Sequence, residues 1–166
     1  MANTITQLYL RELRAESQST RKCLERIPES VYKFKPHEKS MEMGYLALLV
    51  AEIPKWVYSI IEDSVIDFVK YEHFKLSNTA ALLAHYEENL KKAEDALSKS
   101  NDEDLARDKF YLKNNGQELY SGPKLENIGS TINHWIHHRG QLTVYLRLNE
   151  IAVPSIYGPS ADDRGY

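Results

Sequence analysis

The chain lacks the features of secreted and membrane proteins. It has a single cysteine, Cys23, which cannot form an internal disulfide and which we interpret as a helix-packing residue suited to a reducing compartment. Its longest apolar run, residues 45–51, is far shorter than the ~20 residues that a membrane span needs. The N-terminus shows no basic start followed by an apolar block. We therefore expect a cytoplasmic protein that has no membrane partner.

An excess of charge of one sign is also lacking. The chain has 21 Lys and Arg residues and 24 Asp and Glu residues, which gives a net charge of -3. It therefore offers no positive field that would attract nucleic acid. The sequence contains no serine elbow, no phosphate loop and no convincing pair of buried acids, which leaves enzymatic activity open. A length of 166 residues with 42% hydrophobic residues suits one domain, residues 1–166, that buries its core without cross-links.

Hydrophobic periodicity predicts four long helices. The first begins near Ile5, with Thr4 as its cap, and ends before Pro28. The second has Ser40 as a candidate N-cap. Pro54 lies inside the second helix, where a proline ring clashes with the preceding turn, so we expect a kink or a break there.

The second half of the chain continues the pattern. Ser77 or Asn78 can cap a third helix, and a fourth helix should begin at Pro123 and run to about Asn149. Between them, two short strand-like runs flank residues 115–116, an Asn-Gly dipeptide that favours a tight hairpin turn. The sequence therefore predicts an all-α fold, a four-helix bundle, with a small β-hairpin or ordered loop between helices 3 and 4.

The stretch "NHWIHHRGQL", residues 133–142, holds three of the six histidines. On a helical wheel His134 and His138 lie beside the apolar stripe, whereas His137 points away from it. Two imidazoles four residues apart can approach one ion, as in H-x-x-x-H zinc sites. The alternative is a partly buried pair that is hydrogen-bonded to its neighbours. The spacing permits metal binding without requiring it.

The remaining candidates carry weaker signals. Arg139 borders the apolar face of the fourth helix, where we expect it to satisfy a buried carboxylate. His37 lies in a connector, His73 follows a charged segment, and His85 borders the stripe of the third helix. For each of these histidines a hydrogen-bonded role is commoner than metal ligation.

Several motifs together resemble a known family. "NHWIHHRGQLTVYLR" followed by "VPSIYGPSADD" resembles the C-terminal signature of the DinB-like family of bacterial four-helix proteins. The likeness extends through "KPHEKSMEMGYLA", "AEIPKW" and "SNDEDL" and covers nearly the whole chain. The resemblance implies a four-helix bundle with a three-histidine site for zinc or nickel. Two of the implied ligands correspond to His134 and His138 of the fourth helix.

The third implied ligand is missing. Where the family pattern reads "M-x-x-G-x-L-A-x-H-x-A-E-I-P", this chain reads "MEMGYLALLVAEIP", which puts Leu49 in place of the histidine. Two imidazoles alone hold an ion weakly. Glu52 could supply an oxygen ligand, but it lies about 60° around the helix from Leu49. We therefore expect the ion to be weakly bound or absent.

Two functions follow from the resemblance. The first is a divalent-metal-dependent enzyme, a thiol-dependent transferase or hydrolase that uses a low-molecular-weight thiol, with an incomplete or altered histidine site and a pocket between helices 2 and 4. The second is a non-catalytic bundle that has lost the metal and binds a small molecule or dimerises; Leu49 favours it. Family members commonly pair through helix faces, so we also expect a homodimer.

Overall fold

The computed structural model describes residues 4–165. Over these residues the protein is mostly helical, with five α-helices and a three-stranded sheet. The predicted helical fold with a hairpin before the last helix is confirmed in this coarse form, but the exact four-helix bundle is not: a short fifth helix and a third strand, which depends on long-range pairing, were not predicted. The helices are α1 (Ile5–Leu24), α2 (Met43–Tyr58), α3 (Thr79–Lys99), α4 (Asp102–Arg107) and α5 (Lys124–Leu148), and the strands are β1 (Val65–Asp67), β2 (Lys109–Asn114) and β3 (Gln117–Pro123).

Several helix ends follow from local capping. The hydroxyl of Thr4 accepts the backbone N–H of Gln7 at 3.2 Å, and the side chain of Asn78 accepts that of Ala81 at 2.8 Å. Helix α5 begins directly after Pro123. The predicted caps of α1 and α3 and the predicted start of α5 are confirmed.

The predicted cap of α2 is wrong. Ser40 belongs to a turn before the helix, and the connector folds back so that its own carbonyls accept the first N–H groups. The N–H of Met43 donates to the carbonyl of Phe34 and that of Gly44 to Tyr32, both at 2.9 Å. Backbone carbonyls replace the expected side chain because the connector packs against the start of α2.

Pro54 does not break α2. A proline lacks an N–H group, so the carbonyl of Val50, one turn earlier, loses its helical partner. The indole N–H of Trp135 from α5 donates to this carbonyl at 2.9 Å and supplies the missing bond. Helix α2 continues to Tyr58 and passes into one π-helical turn at Ser59–Asp63.

Helix α5 packs antiparallel to α2. Three side-chain-to-backbone hydrogen bonds join α5 to α2 and its flanking residues: Tyr145 to Met41, Trp135 to Val50, and Lys124 to Ile61. Along these three pairs the residue number falls in α5 while it rises in α2, as expected for antiparallel helices. This register puts Leu49 at the level of Ile136. Along the axis, it therefore lies between His134 and His138.

The core is centred on α2. Residues Met43–Asp63 are apolar and long enough, by length and composition, to cross a membrane, but 67% of the tested window is buried within the protein. That burial is typical of a core helix. Cys23 is also fully buried, and burial raises the pKa of its thiol to about 11. This location supports the interpretation of Cys23 as a packing residue.

The small sheet lies against the end of α2. Strands β2 and β3 form the predicted hairpin, with Asn115 and Gly116 at φ of 50° and 78° in its turn. Strand β1 pairs in parallel with β2, and the carboxylate of Asp67 accepts both turn N–H groups. Ile66 and Phe110 are buried. The sheet thus presents an apolar face to the helices.

Candidate functional site

Two histidines of α5 converge at the edge of the core. The Nε2 atoms of His134 and His138 are 2.8 Å apart, a hydrogen bond in which one ring donates and the other accepts. The Nδ1 atom of His138 lies 2.8 Å from Oε1 of Gln141, whose Nε2 is 3.1 Å from Nε2 of the exposed His137. A continuous hydrogen-bonded chain therefore runs from His134 to the surface.

Both rings of the pair favour the neutral state. Burial, and then the neighbouring His138 and His137, lower the pKa of His134 below its ordinary value of 6.5. Burial is also the main cause that lowers the pKa of His138, and His137 adds to it, while the hydrogen bond to Gln141 opposes it. At neutral pH the pair therefore carries no charge and keeps an acceptor lone pair.

Leu49 lies where the family pattern has its third ligand. It is half-buried and packs against the core cluster. Trp56 follows it by seven residues on α2, and about 700° of helical rotation puts both on nearly the same face. The ring of Trp56 is 5.5 Å from that of His134. Face and level together place an aliphatic side chain, not a donor, beside the histidine pair.

Glu52 has other partners. It is 1% exposed, and its Oε1 accepts the backbone N–H of Phe74 at 2.9 Å and lies 3.3 Å from Nε2 of His85. Its Oε2 lies 3.0 Å from Nδ1 of His73. We call these residues the Glu52 cluster. The sequence did not predict it, although an acid inside an apolar helix signals that buried partners must exist.

The donors present do not fit the three-ligand metal site that the resemblance implies. Within residues 4–165, no group of three or more His, Cys, Asp or Glu side chains is arranged to hold an ion. Two nitrogens bound 2.0–2.1 Å from a tetrahedral zinc would stand about 3.3 Å apart. The Nε2 atoms of the pair are closer than that and are hydrogen-bonded to each other.

Arg139 has the predicted structural role. Its side chain is 2% exposed, and Nη1 lies 2.5 Å from Oε2 of Glu16 on α1. Its Nη2 donates to the hydroxyl of Tyr157 at 2.8 Å, and that hydroxyl donates to Glu16 at 2.9 Å. The buried ion pair therefore joins α1, α5 and the C-terminal segment. His37 lies apart from the site and accepts the N–H of Lys39.

A cleft of about 170 Å³ opens beside the histidine pair, between α2, α5 and the sheet. His134 belongs to both the pair and the cleft. The sequence did not predict the contribution of the sheet, because β1 reaches the cleft through long-range pairing. The lining consists of Trp56, Ile60, Ile66, Phe110, Leu112 and Tyr120 on the side of α2 and the sheet, and of Asn127, Ser130, Thr131 and His134 on α5.

The four lining residues of α5 form a polar stripe. Their spacing of three, four and seven residues from Asn127 puts them on one helix face. Asn127 donates its amide to the carbonyl of Pro123 at 2.8 Å. Among residues 4–165, the hydroxyls of Ser130 and Thr131 have no hydrogen-bond partner within the protein. The stripe therefore presents groups that are able to bind a ligand.

Tyr120 forms part of the rim of the cleft. It is 48% exposed, and its ring folds back over the backbone of Gly122. A Cβ atom at Gly122 would lie 2.3 Å from the hydroxyl oxygen of Tyr120 and 3.2 Å from Nδ2 of Asn127. The absence of a side chain at this position allows the ring to lie beside the polar stripe.

Two solved structures share the fold. A DinB-like protein from Bacillus subtilis matches with a TM-score of 0.70 and 19% identity, over 95% of this chain and 99% of that one. A DinB-like protein from Bacillus cereus matches with a TM-score of 0.67 and 23% identity, over 95% of this chain and 100% of that one. No protein with a curated description matches the chain.

The family is shown by the sequence as a whole. The model of the DinB family matches residues 1–164, which include the histidine pair, Leu49 and every residue that lines the cleft. The resemblance found from separate motifs is therefore confirmed over almost the full length: the chain belongs to the DinB family.

Proposed function

We propose that this protein binds a small molecule in the cleft beside His134 and that it does so without a three-ligand metal centre. The observation that carries the proposal is the state of the histidine pair. Each Nε2 is engaged by the other ring at 2.8 Å, and Leu49 occupies the position of the third ligand. The donors that would hold an ion are thus reduced to two imidazoles that bind each other.

The dimensions of the cleft suit a small ligand. A cavity of about 150 Å³ in another protein accommodates benzene, and the cleft here measures about 170 Å³. Apolar and aromatic walls with a few convergent polar groups are typical of ligand sites. The cleft therefore suits a molecule of about one aromatic ring.

His134 gives the cleft a polar anchor. Oε1 of Gln141 can only accept, so in the neutral pair Nδ1 of His138 donates to it and Nε2 of His138 accepts from Nε2 of His134, which leaves Nδ1 of His134 as an acceptor. His138 in turn is held by Gln141 at 2.8 Å, which restricts its ring. The pair would thus orient a ligand through one hydrogen bond and would not need a charge.

A metal-dependent transferase or hydrolase with a low-molecular-weight thiol as co-substrate is the second candidate. The convergence of two neutral imidazoles, His134 and His138, favours it. Zinc or nickel held by these two alone would be weakly bound, and Glu52 is engaged by other partners. A homodimer and a cytoplasmic location, which the resemblance and the sequence predict, are proposals that suit either candidate.

The test is a titration of the purified protein with benzamide, followed by NMR, with and without EDTA or added zinc. We expect saturable binding that EDTA does not change. Ser130→Phe should fill the cleft and abolish binding, whereas the matched change Asn133→Phe, on an exposed part of α5, should not. Binding that requires zinc and disappears in His138→Ala would support the second candidate, and no saturable binding would overturn the first.

A further inference from the structure

We propose that the cleft selects uncharged ligands: its natural ligand is a neutral, single-ring molecule with hydrogen-bonding groups along one edge, of the aromatic amide or nitrogen heterocycle type. The inference rests on the proposed function and adds the chemical class of the ligand. It follows from three features of the cleft: its lack of charged side chains, its contrast with a neighbouring depression, and the division of its walls.

Charged side chains are absent from the lining of the cleft. None of its ten residues is Lys, Arg, Asp or Glu, although 27% of the residues in the chain are charged. His134 is the one imidazole in the lining, and its Nε2 is engaged by His138 at 2.8 Å. A charged ligand would find no counter-ion, and removal of an unpaired charge from water is strongly unfavourable.

Charge is not scarce near the cleft. Ile66 of β1 separates the cleft from a more open depression of about 410 Å³ that it also lines. Five charged side chains line that depression: Lys55, Asp63, Asp67, Lys70 and Glu72. Charged side chains therefore line the depression on one side of Ile66 but not the cleft on its other side. The lack of charge is thus a local property of the cleft.

The walls of the cleft divide by chemistry. The rings of Trp56, Phe110 and Tyr120 come from α2 and the sheet, opposite the polar stripe of α5. Aromatic faces favour stacking with a planar ring, and the stripe extends along about 10 Å of helix. A planar ligand between the walls would place its ring against the aromatic side and one polar edge against Ser130 and Thr131.

The test compares three probes of the same size that differ in charge: benzamide, benzoate and benzylamine, each titrated into the full chain at neutral pH and followed by NMR. We expect benzamide to bind at least about tenfold more tightly than either ion. The shifted backbone signals should include those of Thr131 and His134, since both line the cleft. Shifts confined to another surface would overturn the inference.

A designed counter-ion sharpens the test. Ser130→Lys places an ammonium group in the cleft and should move the preference from benzamide to benzoate, while Asn133→Lys, exposed and outside the lining, should keep the wild-type order. Circular dichroism checks that both variants fold. Benzoate or benzylamine binding as tightly as benzamide to the wild type would overturn the neutral-ligand inference and leave the proposed function standing. Failure of all three probes would overturn both.

Discussion

The protein contains two groups of histidines that use the same side chain in opposite ways. In the Glu52 cluster, a carboxylate that is 1% exposed draws together α2, the irregular segment before α3, and α3 itself, and each of its oxygens has partners. In the pair on α5, two neutral rings bind each other, and one of them, His134, also faces a cleft. The carboxylate of the first group has a partner at each oxygen, whereas the second group lies at a cleft and keeps hydrogen-bonding capacity there.

The difference shows where this fold places buried charge. Glu52 lies among apolar residues of α2, so its ionised form requires several donors close by. The cleft is close to this acid along α2, since Trp56 follows it by one turn, yet no charged residue lines the cleft. Residue type alone therefore does not distinguish a structural histidine from one that is available to a ligand; the partner and the surroundings do, since His73 and His85 contact a buried carboxylate whereas His134 contacts a second imidazole and lines a cleft.

The largest expected effect comes from removing the carboxylate of the Glu52 cluster. Glu52→Ala leaves the N–H of Phe74 and the ring of His73 without their acceptor, and we expect it to lower the free energy of unfolding by about 3 kcal/mol. Glu52→Gln retains one acceptor oxygen and should cost about 1 kcal/mol. Urea denaturation measures both. The exposed acid Glu88, changed to alanine, is the control and should alter stability little; equal losses at the two sites would contradict a structural role for the cluster.

The next effect comes from converting the pair into a metal site. Leu49→His adds a third imidazole at the level between His134 and His138, and we expect zinc to bind about a hundredfold more tightly than to the wild type, about 2.7 kcal/mol. Competition with a chelating dye measures the affinity. Leu49→His combined with His138→Ala should return it to the wild-type value. If Leu49→His alone gains nothing, the side chain at this position does not reach the pair.

The smallest effect is the pH dependence of the pair. Because the pKa values of His134 and His138 are lower in the folded state than their ordinary 6.5, the unfolded chain takes up protons first. Stability is therefore complete above about pH 6.5 and declines as the pH falls from there toward the lowered folded values. Thermal unfolding across this window should show a flatter profile for His134→Gln/His138→Gln. The exposed His37→Gln is the control, and an unchanged slope in the double variant would assign the dependence to other groups.

Local signals allowed much of the helical structure to be predicted. The caps at Thr4 and Asn78, the start of α5 and the Asn115-Gly116 turn each depend on a few neighbouring residues. The convergence of His134 with His138 is local too, because the helical repeat alone brings positions four residues apart together. Its role as a ligand site stays a prediction.

The features that the sequence did not reveal depend on distant residues. Strand β1 pairs with β2 from more than forty positions away, and the cleft forms only where this sheet meets α2 and α5. The sequence suggested Glu52 only as an oxygen ligand in place of the missing histidine, since spacing could not place its actual partners, His73 and His85, next to it. The cap at Ser40 failed for the same reason, since carbonyls of the folded connector took its place.

The carbonyl that Pro54 leaves open occurs at one position of α2, and the indole of Trp135 is the group that meets it. A shift of α5 by one helical turn would leave both a donor and an acceptor buried without a partner, so this hydrogen bond favours the observed alignment of the two helices. His134 is adjacent to Trp135 in the chain, so its position along the cleft also depends on Pro54 of α2. A Pro54→Ala exchange would restore the helical hydrogen bond within α2 and remove one of the three contacts that set this alignment.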